Sequence, residues 1–90
     1  MATEVERVAR RWQQLPLERA LAATASVRTL VQELADEVAV ADRLPVEPVP
    51  DLGPAVLIDQ LRVMVFDHRR AGLDGAVLLD QLTTLRRSIC

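Results

Sequence analysis

Between Ala55 and Phe66 the chain reads AVLIDQLRVMVF, a segment with more apolar surface than one helix face can carry. At about 100° per residue, Leu57, Ile58, Leu61, Met64 and Val65 fall on one stripe roughly 120° wide. Val56, Val63 and Phe66 fall outside it and form a second seam at i, i+7 and i+10. A helix apolar on two sides is either enclosed on both or faces a second chain. The spacing therefore makes Val56, Val63 and Phe66 the expected contact surface, with Trp12 joining them if the first helix leaves it bare.

Ninety residues allow one domain, which hides only about 60–65% of its unfolded surface. Half of the residues are apolar, chiefly Leu, Val and Ala, and Trp12 and Phe66 are the only aromatics. That composition suits helical bundles, because sandwiches and barrels lean on aromatic and β-branched side chains. All eleven basic residues are Arg, while Lys, Asn and Tyr are absent. The pattern follows from a GC-rich, bacterial type of coding sequence, so it says little about Arg-specific recognition.

A net charge of −2 creates no large field of either sign, which disfavours nucleic-acid and anionic-membrane partners. No leader-like or membrane-spanning apolar run is visible, so the expected location is cytoplasmic. Cys90 is the single cysteine, which excludes an internal disulfide and a thiolate metal framework.

Thr3-Glu4-Val5-Glu6 reads as a capping box opening a first helix over 3–15, with Val5, Val8, Trp12 and Leu15 as its stripe. Glu6 and Arg10 form an i, i+4 pair on it. Pro16 stops that helix and begins a second, over 17–42, about 38 Å long. Leu17, Leu21, Thr24, Val27, Val31, Leu34, Val38 and Ala41 step along it by threes and fours. Residues 44–54 carry four of the five prolines and can be neither helix nor central strand. A third helix spans 54–71, ended by Gly72 as a left-handed cap, and a fourth spans 74–89 with Asp74 as its N-cap. Leu78, Leu82, Leu85 and Ile89, with Leu79 alongside, form its stripe. The segments 55–61 and 76–82 share six identities in seven. The expected fold is all-α, a four-helix bundle-like domain whose long second helix packs against an antiparallel C-terminal helical hairpin, with the first helix on one side.

Chemistry-bearing patterns are sparse. Glu33, Asp36 and Glu37 share one helical face, and Asp59 or Asp67 could join them, as carboxylates do in Mg²⁺-dependent nucleotide hydrolases. Gln32 stands where such sites carry another Glu, and no E-x-x-D follows, so a solvated face is expected. His68, the only histidine, continues the Leu57, Leu61, Met64 row and should cap the edge of the core. Ser26 and Ser88 lack the glycines of a nucleophile elbow. Helices three and four could be drawn as a DNA-reading helix-turn-helix, but the reading helix would begin with apolar residues 75–79, flanked by Asp74 and Asp80. Three Arg doublets, 10–11, 69–70 and 86–87, would make an anion patch only if they converged. Pro45 to Pro48 matches P-x-x-P without basic flanks and reads as linker.

The reading is a non-catalytic interaction module that self-associates through the third helix, with no cofactor, metal or small-molecule substrate. Its expected partner is a second copy or another protein. A small DNA-binding regulator is the first alternative, and the carboxylate-based hydrolase the second.

Overall fold

The computed structural model describes residues 2–89, with side chains described from Glu4 onward. Four helices, α1 (Ala2–Gln14), α2 (Leu17–Ala41), α3 (Pro54–Arg70) and α4 (Gly75–Ser88), make an all-α bundle-like domain; no strand occurs among the described residues. Each boundary lies within a residue or two of its expected place.

The punctuation is local chemistry. Pro16, extended at φ −56° and ψ 150°, is the N-cap of α2 rather than its first helical residue, and its carbonyl accepts from Ala20 N–H at 2.9 Å. Gly72, at φ 76°, closes α3 in a Schellman motif: its N–H donates to the Arg69 carbonyl and Leu73 N–H donates to that of His68. Asp74 Oδ1 accepts from Ala76 N–H at 2.8 Å and Val77 N–H at 3.4 Å, capping α4 as the sequence implies.

The end of α2 carries no such signal. Arg43 takes the left-handed position at φ 59°, while Arg43 and Leu44 N–H donate to the carbonyls of Val40 and Ala39. This is the same 5→2 and 6→1 closure without the glycine. The left-handed conformation costs a side-chain-bearing residue about 1 kcal/mol, partly offset by the greater unfolded freedom of glycine. Arg43→Gly should therefore stabilise the protein by about 0.5 kcal/mol, read as a higher urea midpoint at unchanged slope.

Contacts along the helices define their directions. The hollow near Arg28 and Gln32 is also lined by Leu57 and Gln60, whereas Glu37 lies beside His68, so α2 and α3 run parallel. Ser26 and Leu30 share a cleft with Ser88 and Leu85, and Glu37 meets Gln81, so α4 runs antiparallel to both. The tightest helix pairs are α2 with α3 and α1 with α4.

A parallel α2 and α3 require the connection to travel back along the bundle, which the extended proline segment does. Gln32 holds it at both ends of its amide: Nε2 donates to the Glu47 carbonyl (3.0 Å) and Oε1 accepts from Val49 N–H (2.8 Å). Gln60 Nε2 donates to the Pro50 carbonyl at 3.0 Å, and Arg28 pairs with Asp51 at 3.1 Å. Val49 packs on the core.

The core contains Val5, Val8 and Ala9 of α1, Val27, Leu30, Val31 and Leu34 of α2, Leu57, Ile58, Leu61 and Val65 of α3, and Leu78, Leu82, Leu85 and Ile89 around α4. Two expectations for α2 fail. Leu17 and Leu21 continue its apolar row but are exposed, because α2 outreaches its shorter partners and its first buried residue is Val27. Leu30, off the expected row, is buried against α4. The two related segments occupy equivalent faces: Leu57 and Leu78 are buried, as are Leu61 and Leu82, while Val56 and Val77 are exposed.

Candidate interaction surface

Helical geometry places Val56, Val63 and Phe66 opposite the core face of α3. The core side of that helix is Leu57, Ile58, Leu61, Val65 and His68. Val56, Val63 and Phe66 are 37%, 53% and 66% exposed, so the described residues leave each of them partly open to solvent. Asp59 and Arg70 lie on the same outward line, giving Val56, Asp59, Val63, Phe66 and Arg70 spacings of three, four, three and four. That is a heptad seam with an apolar middle, an acid toward one end and a base at the other.

The seam is a ridge between two hollows. One, of about 490 Å³, lies toward α2 and is walled by Ala39, Val49, Val56, Val63 and Met64, with prolines of the connection as its rim. The other, of about 540 Å³, lies toward α1 between Val5, Val65 and Phe66. Ion pairs stiffen the flanks. Arg62 donates from Nε and one terminal nitrogen to the two Glu6 oxygens, each at 3.1 Å, and from its other terminal nitrogen to Asp59 Oδ1 at 3.0 Å. Those carboxylates hold the Arg62 guanidinium protonated more firmly than usual. Arg70 reaches Asp67 at 3.4 Å.

Trp12 does not join this surface, because it is half-buried against the core. Nor does Glu6 pair with Arg10 or reach back along its own helix; its two oxygens are taken by Arg62, across the gap to α3.

The acidic face of α2 is dispersed. Asp36 accepts from Gln32 at 2.7 Å, Glu37 accepts from Gln81 at 3.3 Å, and Glu33 is exposed. Asp59 and Asp67 are taken by arginines of their own helix. Among the described residues no three His, Cys, Asp or Glu side chains come together as a metal site. His68 is 3% exposed at the junction of α2, α3 and α4, its Nε2 lying 3.5 Å from Glu37 Oε2. It caps the core edge as its register requires. Ser88 Oγ donates to the Leu85 carbonyl. Cys90 lies outside the described residues.

Three polar devices were not visible in the sequence. Gln32 clamps the proline segment, Gln81 reaches Glu37 across 44 positions, and Glu4 is buried in a salt bridge with Arg86 across 82. Composition assigns all of these residues to solvent, and only the helix packing brings them together. Among the described residues no helix is long and apolar enough to cross a membrane. Comparison of the chain with protein-family models, with curated proteins and with solved structures finds no match.

Proposed function

We propose that this protein is a non-catalytic helical interaction module that forms a two-fold dimer through the outward face of α3. The observation that carries the reading is the exposure of Val56, Val63 and Phe66 on one line opposite the core. Small monomeric domains usually scatter their exposed apolar residues singly, whereas a contiguous row with shaped hollows beside it marks a contact surface.

Charge selects the direction of pairing. With parallel copies, Asp59 would meet Asp59 and Arg70 would meet Arg70. With antiparallel copies centred between Met64 and Val65, Asp59 meets the partner's Arg70 and Val63 meets the partner's Phe66. This is the alternation of an antiparallel coiled-coil seam, and it closes on itself as a two-fold contact must. Phe66 then enters the hollow beside Val63 of the other copy.

Each anchor that loses about 100 Å² of apolar surface contributes about 2.5 kcal/mol at 25 cal/mol per Å². In this register Val63 and Phe66 of each copy are the anchors, four per dimer, while Val56 falls opposite residue 73, past the end of the partner's α3. Set against the cost of losing translational freedom, they support association at micromolar concentration. The helix is about 25 Å long, so the contact lies at the small end of specific interfaces.

Sedimentation equilibrium at two concentrations tests the dimer directly, and a monomer at high micromolar concentration would overturn it. The register has its own test. Asp59→Arg or Arg70→Asp alone should weaken the dimer roughly three- to tenfold, each placing like charges opposite one another. The double exchange should restore wild-type affinity. If single and double variants weakened it additively, the antiparallel register would be wrong while the dimer stood.

A further inference from the structure

The Arg doublets of the sequence do not converge as pairs, yet one end of α1 collects four guanidinium groups. Arg7, Arg10, Arg11 and Gln14 follow one another at i, i+3, i+4 and i+7, and Arg86 of α4 joins them around a hollow of about 200 Å³. Among the described residues no carboxylate lines it. Arg69 and Arg70 instead border the hollow beside Phe66.

Two features make this more than a solvated charged face. First, Glu4 lies beneath it at 5% exposure and accepts from Arg86 Nε at 2.6 Å and from Arg7 at 3.4 Å, fixing two of the guanidinium groups. Second, the carboxylate one turn before Arg10 is committed to Arg62, so the compensation expected within α1 is absent. Among the described residues neither Arg10 nor Arg11 makes an ion pair or side-chain hydrogen bond. Among the described residues, four guanidinium groups border this corner and Glu4 is the carboxylate paired with two of them. Like charges one helical turn apart repel, and a bound anion would relieve them.

We infer that this hollow binds a doubly charged phosphoryl group, with Arg10 and Arg11 as its principal contacts and Glu4 as the residue that positions Arg86 and Arg7 around it. Guanidinium forks match the planar spread of phosphate oxygens, and clustered arginines are a recurrent way to hold them. The hollow is large enough to take a phosphoryl group. The site is independent of the α3 surface.

The test is a titration of the isotopically labelled full chain with inorganic phosphate, and separately with phosphoserine, at ionic strength held constant with sodium chloride. Saturable amide shifts confined to residues 7–14 and the neighbourhood of Arg86 are expected, with half-saturation in the low millimolar range. Arg10→Gln with Arg11→Gln should weaken binding at least tenfold, while Arg69→Gln should leave it unchanged. Equal affinity for the two ligands would identify free phosphate as sufficient; tighter phosphoserine binding would place the group on a larger molecule. Either supports the site. Shifts that fail to saturate, that chloride reproduces, or that the Arg10/Arg11 variant retains would overturn it. The same variant should melt slightly higher than wild type in phosphate-free buffer, since it removes repulsion and breaks no contact; a lower melting temperature would count equally against the proposal.

Discussion

Arg86→Met will lower the unfolding free energy by about 2–3 kcal/mol at neutral pH, a large share of the roughly 5–10 kcal/mol a domain of this size possesses. The Glu4 side chain is 6% exposed, and the hydrogen bond donated by Arg86 Nε at 2.6 Å is its main compensation; Arg7, at 3.4 Å and largely in solvent, cannot replace it. Removing the cation leaves a desolvated carboxylate between α1 and α4. The estimate stays below the full penalty of a buried pair because Arg86 is itself 27% exposed and water can partly enter. Met retains the volume, so the loss reports the charge and not a cavity. Glu4→Gln together with Arg86→Met should recover much of it, because a neutral pair no longer requires a counter-charge. Urea unfolding of the three variants measures each value.

The pH dependence follows with a definite sign. Hydrogen bonding from Arg86, ahead of the opposing effect of burial, holds the Glu4 carboxyl below its ordinary value of 4.5. A group whose folded pKa is depressed contributes stability that is complete above its unfolded pKa and is lost as pH falls through the folded value. Wild type should therefore lose stability on acidification below 4.5. In Arg86→Met the balance reverses: burial without the guanidinium raises the Glu4 pKa, and protonation relieves the stranded charge. The gap between the two proteins should then narrow from neutral pH toward the acid range. A gap independent of pH would show that Arg86 acts through packing alone.

Val63→Asp will abolish self-association while leaving the fold unperturbed. Val63 is the central apolar residue of the outward seam, 53% exposed in the monomer. In the proposed dimer the new carboxylate lies against the partner's Phe66 ring, where it loses part of its hydration and replaces an apolar contact. Two such residues per dimer cost several kcal/mol, which corresponds to a loss of at least 100-fold in affinity. Monomer stability should change by less than about 0.5 kcal/mol, as for other surface substitutions. Sedimentation of the variant beside a thermal melt separates the two effects. Unchanged mass would remove the α3 surface from consideration, and a collapsed melt would show that Val63 supports the monomer.

Much of the architecture was legible because helix punctuation is local. Pro16, Gly72 and Asp74 act within four residues of themselves, and the α3 and α4 stripes follow from period alone. The exposed seam was legible for the same reason: Val56, Val63 and Phe66 lie off the stripe whatever packs against it. Arg43 was not legible, since a left-handed cap without glycine leaves no mark in composition.

Partner choice among polar side chains belongs to the tertiary structure. Glu6 has a suitable cation one turn away in Arg10, yet the fork of Arg62, 56 positions distant, takes both of its oxygens. Leu17 and Leu21 satisfy the same periodicity as Val31 and Leu34 but stay in solvent, because burial needs a neighbour of sufficient length and α2 outreaches its own. A sequence specifies which face of each helix is apolar, since that depends on spacing over a few turns. Which face meets which helix, and which charges are left uncompensated, depends on contacts between distant segments, and these exist only once the helices are packed.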